Sequence, residues 1–537
     1  MDHKLFIVYL IGGISVLAVS LTVLRMFCRC NFKLSLWLMC PLFLGSGYII
    51  MAQYLKYLGN HFYVDFSHWA QVLYNISISG RPVSLSVELM VPGAMNYLSV
   101  HFAPLIYFLA ITFKLWPYSE TIIGLNFLLM ISAAIPLYKL ALACRQDRRF
   151  ALFIAVLLFW YPTFQYTVLY EFEMLRFSIP IILWMLYFWQ TKKMIAYYLF
   201  LLSAVLVREE IGLTIMMFGL YLIFIEKQRH TGVVSALIGL GAFISITQIV
   251  MPALSTAGSF EHISTASFSA FGKTPVEVIK NIILHPGLAL STIFEPVKLA
   301  NVFMLFLPLL FIPLLGPAVL IATLANLGVC ILSGSRTHVS YMLYYLSPSI
   351  PFIFFAFIKG WPKFLEVLKN LISKWSSRDR DTDLNSVGML VVLSGLLVAN
   401  VFFGPSPLSL QFWFKDVKPA PFKTQNYHYS VYKVTEHHRR VDEFSKAIPN
   451  SAIVSAQQFL SPRLFKKKGI LIFPKIEGLN GTIKADYVFF DKTNNGLNKN
   501  SPAYITQAEF SLVEENKDTW KLIKSEDGYF LYERIGT

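Results

Sequence analysis

The feature that most limits how this chain can fold is a series of long apolar runs. They lie at 4–24, 34–57, 119–143, 150–168, 177–191, 195–207, 211–226, 232–252, 299–315, 317–333, 341–358 and 386–404. A hydrocarbon core of about 30 Å needs roughly 20 apolar residues of helix to cross it. Inside lipid every backbone polar group must be satisfied by the segment itself. The runs therefore predict a polytopic α-helical membrane protein with about twelve transmembrane helices. Those at 177–191 and 195–207 are short, which predicts tilted or broken helices. Composition agrees: 55% of residues are hydrophobic and only 14% charged, where a soluble chain carries nearer a quarter.

The net charge is +15. The basic residues are scattered over short loops instead of forming one face, so the pattern predicts no nucleic-acid partner. Lys and Arg instead mark cytoplasmic loops. Of the five cysteines, Cys28 and Cys30 are one residue apart, which is not a zinc spacing. The N-terminus has little basic character and no small-residue cleavage site near residue 27, which predicts a retained helix.

Loop charge assigns the two sides. The stretch 102–116 ("FAPLIYFLAITFKLW") is apolar, and counting it as a span reverses the sidedness of everything after it. If it does not span, Arg25/Arg29/Lys33, Arg145/Arg148/Arg149, Lys192/Lys193, Lys227/Arg229 and the stretch from Lys359 to Arg380 all face the cytoplasm. The expectation is a helix lying in the outer interface, within a first large outer loop at about 58–118. Asp65, Glu88, Glu171, Glu173, Arg208, Glu209, Glu210, Arg336 and His338 then share the opposite, outer face. Ionisable groups beside a bilayer are costly unless paired or wet, so their convergence predicts a site.

After residue 404 the composition turns polar. "AIVSA", "GILIF" and "ADYVFFD" read as strands, and "WKLIKSEDGYFLYER" as a hairpin turning at Glu526-Asp527-Gly528. "HHRRVDEFSKAI" places Val441, Phe444 and Ile448 on one helix face. The reading is a membrane domain at 1–404 and a small extracytoplasmic α/β domain at 405–537.

Asp65 opens "DFSHWAQVLYN", where a carboxylate serves equally as a helix N-cap or as a site acid. "YEFEMLRF" sets Glu171 and Glu173 between two apolar runs, with Arg176 as a local ion partner. "VREEIG" places Arg208, Glu209 and Glu210 at one turn, either a helix-end salt-bridge cluster or part of a site. "SGSRTHVSY" adds Arg336 and His338. Gly-rich phosphate loops, HExxH and GxSxG are absent from the sequence, so nothing supports ATP-driven transport or serine-hydrolase chemistry.

The order of these segments resembles the bacterial membrane-protein family called domain of unknown function 2079, grouped with the GT-C superfamily of polyprenyl-phosphate-sugar glycosyltransferases. The family's "DLGIFDQALWN" is similar to "DFSHWAQVLYN", with Asp65 on its first acid and Ala70 in place of its second. Its "HFSP" resembles His101-Phe102-Ala103-Pro104. Its "DFHPE" aligns with "EFEML", where Glu171 keeps a carboxylate, Glu173 replaces a histidine and Leu175 a glutamate. "KED" is similar to Arg208-Glu209-Glu210. "IPNSAIVSAQQFLSPRL" and "ADYVFFD" resemble the family's extracytoplasmic ending. The resemblance implies a GT-C-like fold in the bacterial inner membrane, with Asp65 as the catalytic carboxylate of the first outer loop, a base or an acceptor-orienting group. His101, Glu171, Glu173, Arg208, Glu209, Glu210, Arg336 and His338 would then bind substrate, and the partner would be a polyprenyl-phosphate-linked sugar donor. A divalent ion between Glu171 and Glu210 is compatible with this pattern, which does not require one. A transporter or flippase of a lipid-linked or polar solute, and a non-catalytic cell-envelope protein, stay open as alternatives.

Overall fold

Prolines and glycines decide where the apolar runs become separate helices. The computed structural model describes residues 39–255, 267–272, 275–375, 383–417, 425–478, 481, 483–494 and 504–535. The run at 4–24, Arg25, Arg29, Lys33, Cys28 and Cys30 lie outside the described residues. Helix α1 spans Met39–Leu58, α2 Val64–Ser79, α3 Ile106–Leu115 and α4 Ser119–Ala143. The run at 150–168 is two helices, α5 (Arg148–Trp160) and α6 (Pro162–Leu169), bent by 53°. Pro162 has no N–H to donate and takes the first position of α6, where none is required. Then follow α7 (Ser178–Gln190), α8 (Met194–Val205), α9 (Ile211–Phe224) and α10 (Arg229–Leu254).

The runs at 299–315 and 317–333 are not two straight helices. Helices α11 (Pro286–Ile293) and α12 (Pro296–Leu309) meet at 58°, Ile312–Leu315 and Pro317–Thr323 are 3₁₀ turns, and α13 (Leu324–Leu332) follows. Among the described residues three helices, α4, α10 and one between Leu384 and Phe403 (α15), are long and apolar enough to cross a membrane. The number is five if each bent pair crosses as one. A count of about twelve therefore rests on shorter and bent helices.

One expected loop is helical. The run at 341–358 enters α14, which continues from Ile350 to Trp375, so Lys359, Lys363 and Lys369 ride on a helix. Beyond Lys359, Phe364, Leu365, Leu368 and Leu371 recur at helical spacing and pack with Val387 and Val391 of α15.

Helices α9 and α10 pack through glycine. A Cβ on Gly239 would lie 2.5 Å from the Gly212 carbonyl oxygen, and one on Gly219 2.5 Å from the Ala236 nitrogen. Lipid offers no hydrophobic drive between helices, so close backbone approach of this kind is what holds them.

The polar C-terminal part forms a five-stranded sheet in the order β2-β1-β3-β5-β4. Its strands are β1 Ile453–Ala456, β2 Gly469–Ile472, β3 Tyr487–Asp491, β4 Trp520–Glu526 and β5 Tyr529–Arg534. β1 pairs in parallel with β2 and β3, whereas β5 is antiparallel to β3 and β4. Alternation along β3 covers both faces: Phe489 packs with Val441 and Phe444 of α16 (Glu436–Ala447), and Val488 and Phe490 with Phe510 and Val513 of α17 (Gln507–Glu514). The β4–β5 turn has positive φ at Asp527 and Gly528, the conformation a two-residue hairpin prefers.

This sheet sits on the loop after α1. Gln71 Nε2 donates to the Lys467 carbonyl at 3.0 Å, and the Ile470 N–H to Ser86 Oγ at 2.8 Å. Leu85 lies over Gly469, where a Cβ would stand 3.1 Å from its Cδ2.

Candidate functional site

Asp65 does not cap its helix. The N-cap of α2 is Tyr63, whose side chain makes no capping bond, and Asp65 is the second helical residue. Its Oδ2 instead accepts from the Tyr170 hydroxyl at 2.5 Å. Capping comes from elsewhere in the chain: Glu171 Oε2 accepts from the Phe66 N–H at 3.1 Å. Glu171 is buried, and Gln425 Nε2 reaches its Oε1 at 3.4 Å. Burial pushes this carboxyl up to about 8 and the charge of Asp65 adds to the effect. The Phe66 and Tyr63 amides and Lys56 oppose it.

Arg176 does not pair with Glu171 or Glu173 as the sequence suggested. It is wholly buried, and Nη1 lies 3.0 Å from Asn126 Oδ1 and 3.4 Å from the Val168, Tyr170 and Glu171 carbonyls. Its guanidinium thus gathers the free carbonyls at the end of α6. Gln53 completes the support, donating to the Val168 carbonyl at 2.9 Å.

A second cluster forms around Arg208, whose side chain is 6% exposed. Nη1 lies 3.4 Å from Glu173 Oε1, and Nε 3.1 Å from Glu210 Oε2 and 3.6 Å from Glu209 Oε1. Nη2 makes no hydrogen bond among the described residues. Glu209 also holds the loop between α2 and α3: Oε2 accepts from the Phe102 N–H at 2.9 Å, and Oε1 lies 3.4 Å from His101 Nδ1. Burial works against the Glu209 charge, but the His101 hydrogen bond and Arg208 outweigh it and bring the carboxyl to about 2. Burial and the neighbouring Glu209 push Glu210 up, with Arg208 opposing.

Aromatic residues join the two clusters. The Tyr170 and Tyr344 rings are 4.9 Å apart, and Tyr344 and Tyr345 4.3 Å. Tyr344 lies within electrostatic reach of Glu173 and Asp65, and of Arg208. Tyr97 meets the same surroundings: burial, Glu173 and Asp65 raise it while Arg208 opposes. Trp69, one turn beyond Asp65, packs on Tyr97 at 4.6 Å and stacks over His101 at 6.4 Å. His338 joins through Tyr345, 4.5 Å ring to ring. Burial lowers it to about 4, and Arg208 adds to the shift.

Residues 63–531 match the family described as "Predicted membrane protein (DUF2079)". This chain belongs to that family. The solved structure titled "Crystal Structure of ArnT from Cupriavidus metallidurans bound to Undecaprenyl phosphate" is similar, with a TM-score of 0.49 and 11% identity over 92% of this chain and 98% of that chain. No curated protein sequence matches this one.

Of the positions singled out from the sequence, Asp65, His101, Glu171, Glu173, Arg208, Glu209, Glu210 and His338 come together. Arg336 does not join: it is 60% exposed and its Nη2 lies 2.6 Å from Glu295 Oε1. Glu171 and Glu210 have separate partners, Phe66 and Arg208. Among the described residues no group of three or more His, Cys, Asp or Glu is placed to hold a metal ion. Ala70 and Leu175, where the family pattern carries acids, are fully buried in the hydrophobic core. Tyr97, Tyr170, Tyr344, Tyr345 and Gln425 are the members that sequence reasoning missed. In a chain with 27 tyrosines nothing local distinguishes them.

Proposed function

We propose that this membrane protein is a GT-C-type glycosyltransferase of the bacterial inner membrane, taking a sugar from a polyprenyl-phosphate-linked donor at the outer face. The observation that carries the reading is the Asp65 carboxylate, which caps no helix and, among the described residues, meets the Tyr170 hydroxyl. Glu171 satisfies the Phe66 amide, and Asp65 stands against Tyr170 and an aromatic wall that it shares with Arg208. An acceptor hydroxyl would attack the anomeric carbon and pass its proton to Asp65. The bond from the anomeric carbon to the phosphate oxygen would break, and polyprenyl phosphate would leave with the electron pair. The free Nη2 of Arg208 would meet the charge developing on that phosphate. The carboxylates of Glu173, Glu209 and Glu210 would hold the guanidinium in place.

A transporter would place ionisable groups near mid-membrane depth. The buried Lys56 argues against that reading, because it lies in the last turn of α1. The test is sugar release from a polyprenyl-phosphate-sugar by the purified protein and by Asp65→Asn. Loss of transfer with unchanged thermal stability supports the proposal. Full activity in Asp65→Asn removes Asp65 from the chemistry. Translocation of the intact lipid without cleavage of its sugar–phosphate bond overturns the transferase reading.

A further inference from the structure

A separate cavity of about 600 Å³ lies where the sheet meets the start of α4. Four cations line it, Lys446, Arg463, Lys466 and Lys467, against two acids, Glu120 and Asp442. Arg463 is already committed. Its Nη1 is 3.1 Å from Asp442 Oδ1, Nη2 donates to the Tyr57 carbonyl at 3.3 Å, and the guanidinium lies 4.0 Å over the Tyr57 ring. That pairing also uses up Asp442.

The lysines are not matched in this way. Lys467 Nζ donates to the Ile448 carbonyl at 2.6 Å and to Asn450 Oδ1 at 3.0 Å, which leaves one N–H over. Lys466 Nζ rests 4.8 Å over the Tyr118 ring. Among the described residues none of the three lysines has a carboxylate within ion-pair distance. Burial lowers Lys467 to about 8, and Lys466 adds to the shift. The fold thus keeps three lysines around one cavity, and Glu120 is the single lining acid not already paired with Arg463. The surplus of positive charge is what an anion would offset.

Location narrows the choice. Leu115, Trp116 and Tyr118, beside the cavity, are exposed, and Trp and Tyr favour the membrane–water boundary. Lysine ammonium groups suit phosphate oxygens as point charges. We propose that this cavity binds a phosphate-bearing anion, either the headgroup of an anionic membrane lipid or free phosphate. The proposal does not depend on glycosyl transfer.

The full-length protein tests it, as wild type, as Lys446→Ala/Lys466→Ala, and as Lys468→Ala, an exposed neighbour that does not line the cavity. One arm measures retention of phosphatidylglycerol against phosphatidylcholine by native mass spectrometry. The other measures the shift in thermal midpoint with inorganic phosphate against chloride at equal ionic strength. The double variant should keep the wild-type midpoint without ligand, because neither side chain holds the fold together. It should bind phosphatidylglycerol about tenfold more weakly, with Lys468→Ala unchanged, if the source is lipid. If the source is free, phosphate should stabilise the wild type and not the double variant, with no lipid preference. The proposal fails if neither probe separates the double variant from the wild type, or if Lys468→Ala behaves like the double variant.

Discussion

Glu171 caps the helix that carries Asp65, accepting from the Phe66 N–H at 3.1 Å across 105 residues of chain. Glu209 does the same for the next segment of that loop, accepting from the Phe102 N–H at 2.9 Å. Two carboxylates from later loops therefore fix the backbone between α1 and α3 at two points, and the candidate site lies between them.

Glu171 should matter for stability before it matters for chemistry. Glu171→Ala strands the Phe66 N–H and should cost about 1–3 kcal/mol, whereas Glu171→Gln keeps an acceptor and should stay near wild type. The pH dependence follows from the raised carboxyl. Between the ordinary value of 4.5 and about 8 the folded state holds a proton that the unfolded state has lost. Stability should therefore fall as pH rises through that window. Thermal midpoints at stepped pH check this, and Glu171→Gln should flatten the decline.

Arg208→Lys should retain most of the stability, since a cation still faces three glutamates, but should slow sugar transfer about tenfold or more. A point charge does not replace a guanidinium that meets Glu173, Glu210 and substrate at once. Comparing initial rates with thermal midpoints separates the two effects. Equal rates would leave Arg208 a structural residue only.

Sidedness is checked by reporter fusions. Fusions at residues 147 and 230 should report cytoplasm, and those at 90 and 500 the outside. A cytoplasmic signal at 500 would invert the topology that loop charge implies.

Helix α3 has ten residues, about 15 Å at 1.5 Å each, half the thickness of a hydrocarbon core. Cysteines placed along Ile106–Leu115 should label from the outer aqueous side or from lipid. Labelling from the cytoplasm at any position would make it a span.

Glycine packing gives the last prediction. Gly239→Leu should push α10 off α9 and lower stability by about 1–3 kcal/mol. Gly241→Leu, with nothing within 4 Å of its would-be Cβ, should be near neutral. Thermal unfolding in detergent distinguishes them.

The sequence by itself determined the membrane class, the strands of the C-terminal sheet, the hairpin turn at Asp527-Gly528 and most of the charged residues that gather at the site. Each of these depends on a local quantity: hydropathy over twenty residues, alternation along a strand, a turn dipeptide, a charge that must be paired beside lipid. What each carboxylate does was decided only in the tertiary structure. Asp65 at a helix start has the same local signature whether it caps or not. The helix begins one residue before it, at Val64, and Glu171, a hundred residues away, accepts from the Phe66 amide in its first turn. Arg336 carries the same charge as Arg208 but finds Glu295 instead, so it leaves the cluster. The tyrosines that connect Asp65 to Arg208 come from three distant segments, and a ring contact between segments leaves no trace in the local pattern of either. Local physics sets which groups must be satisfied, and packing sets which partner satisfies them.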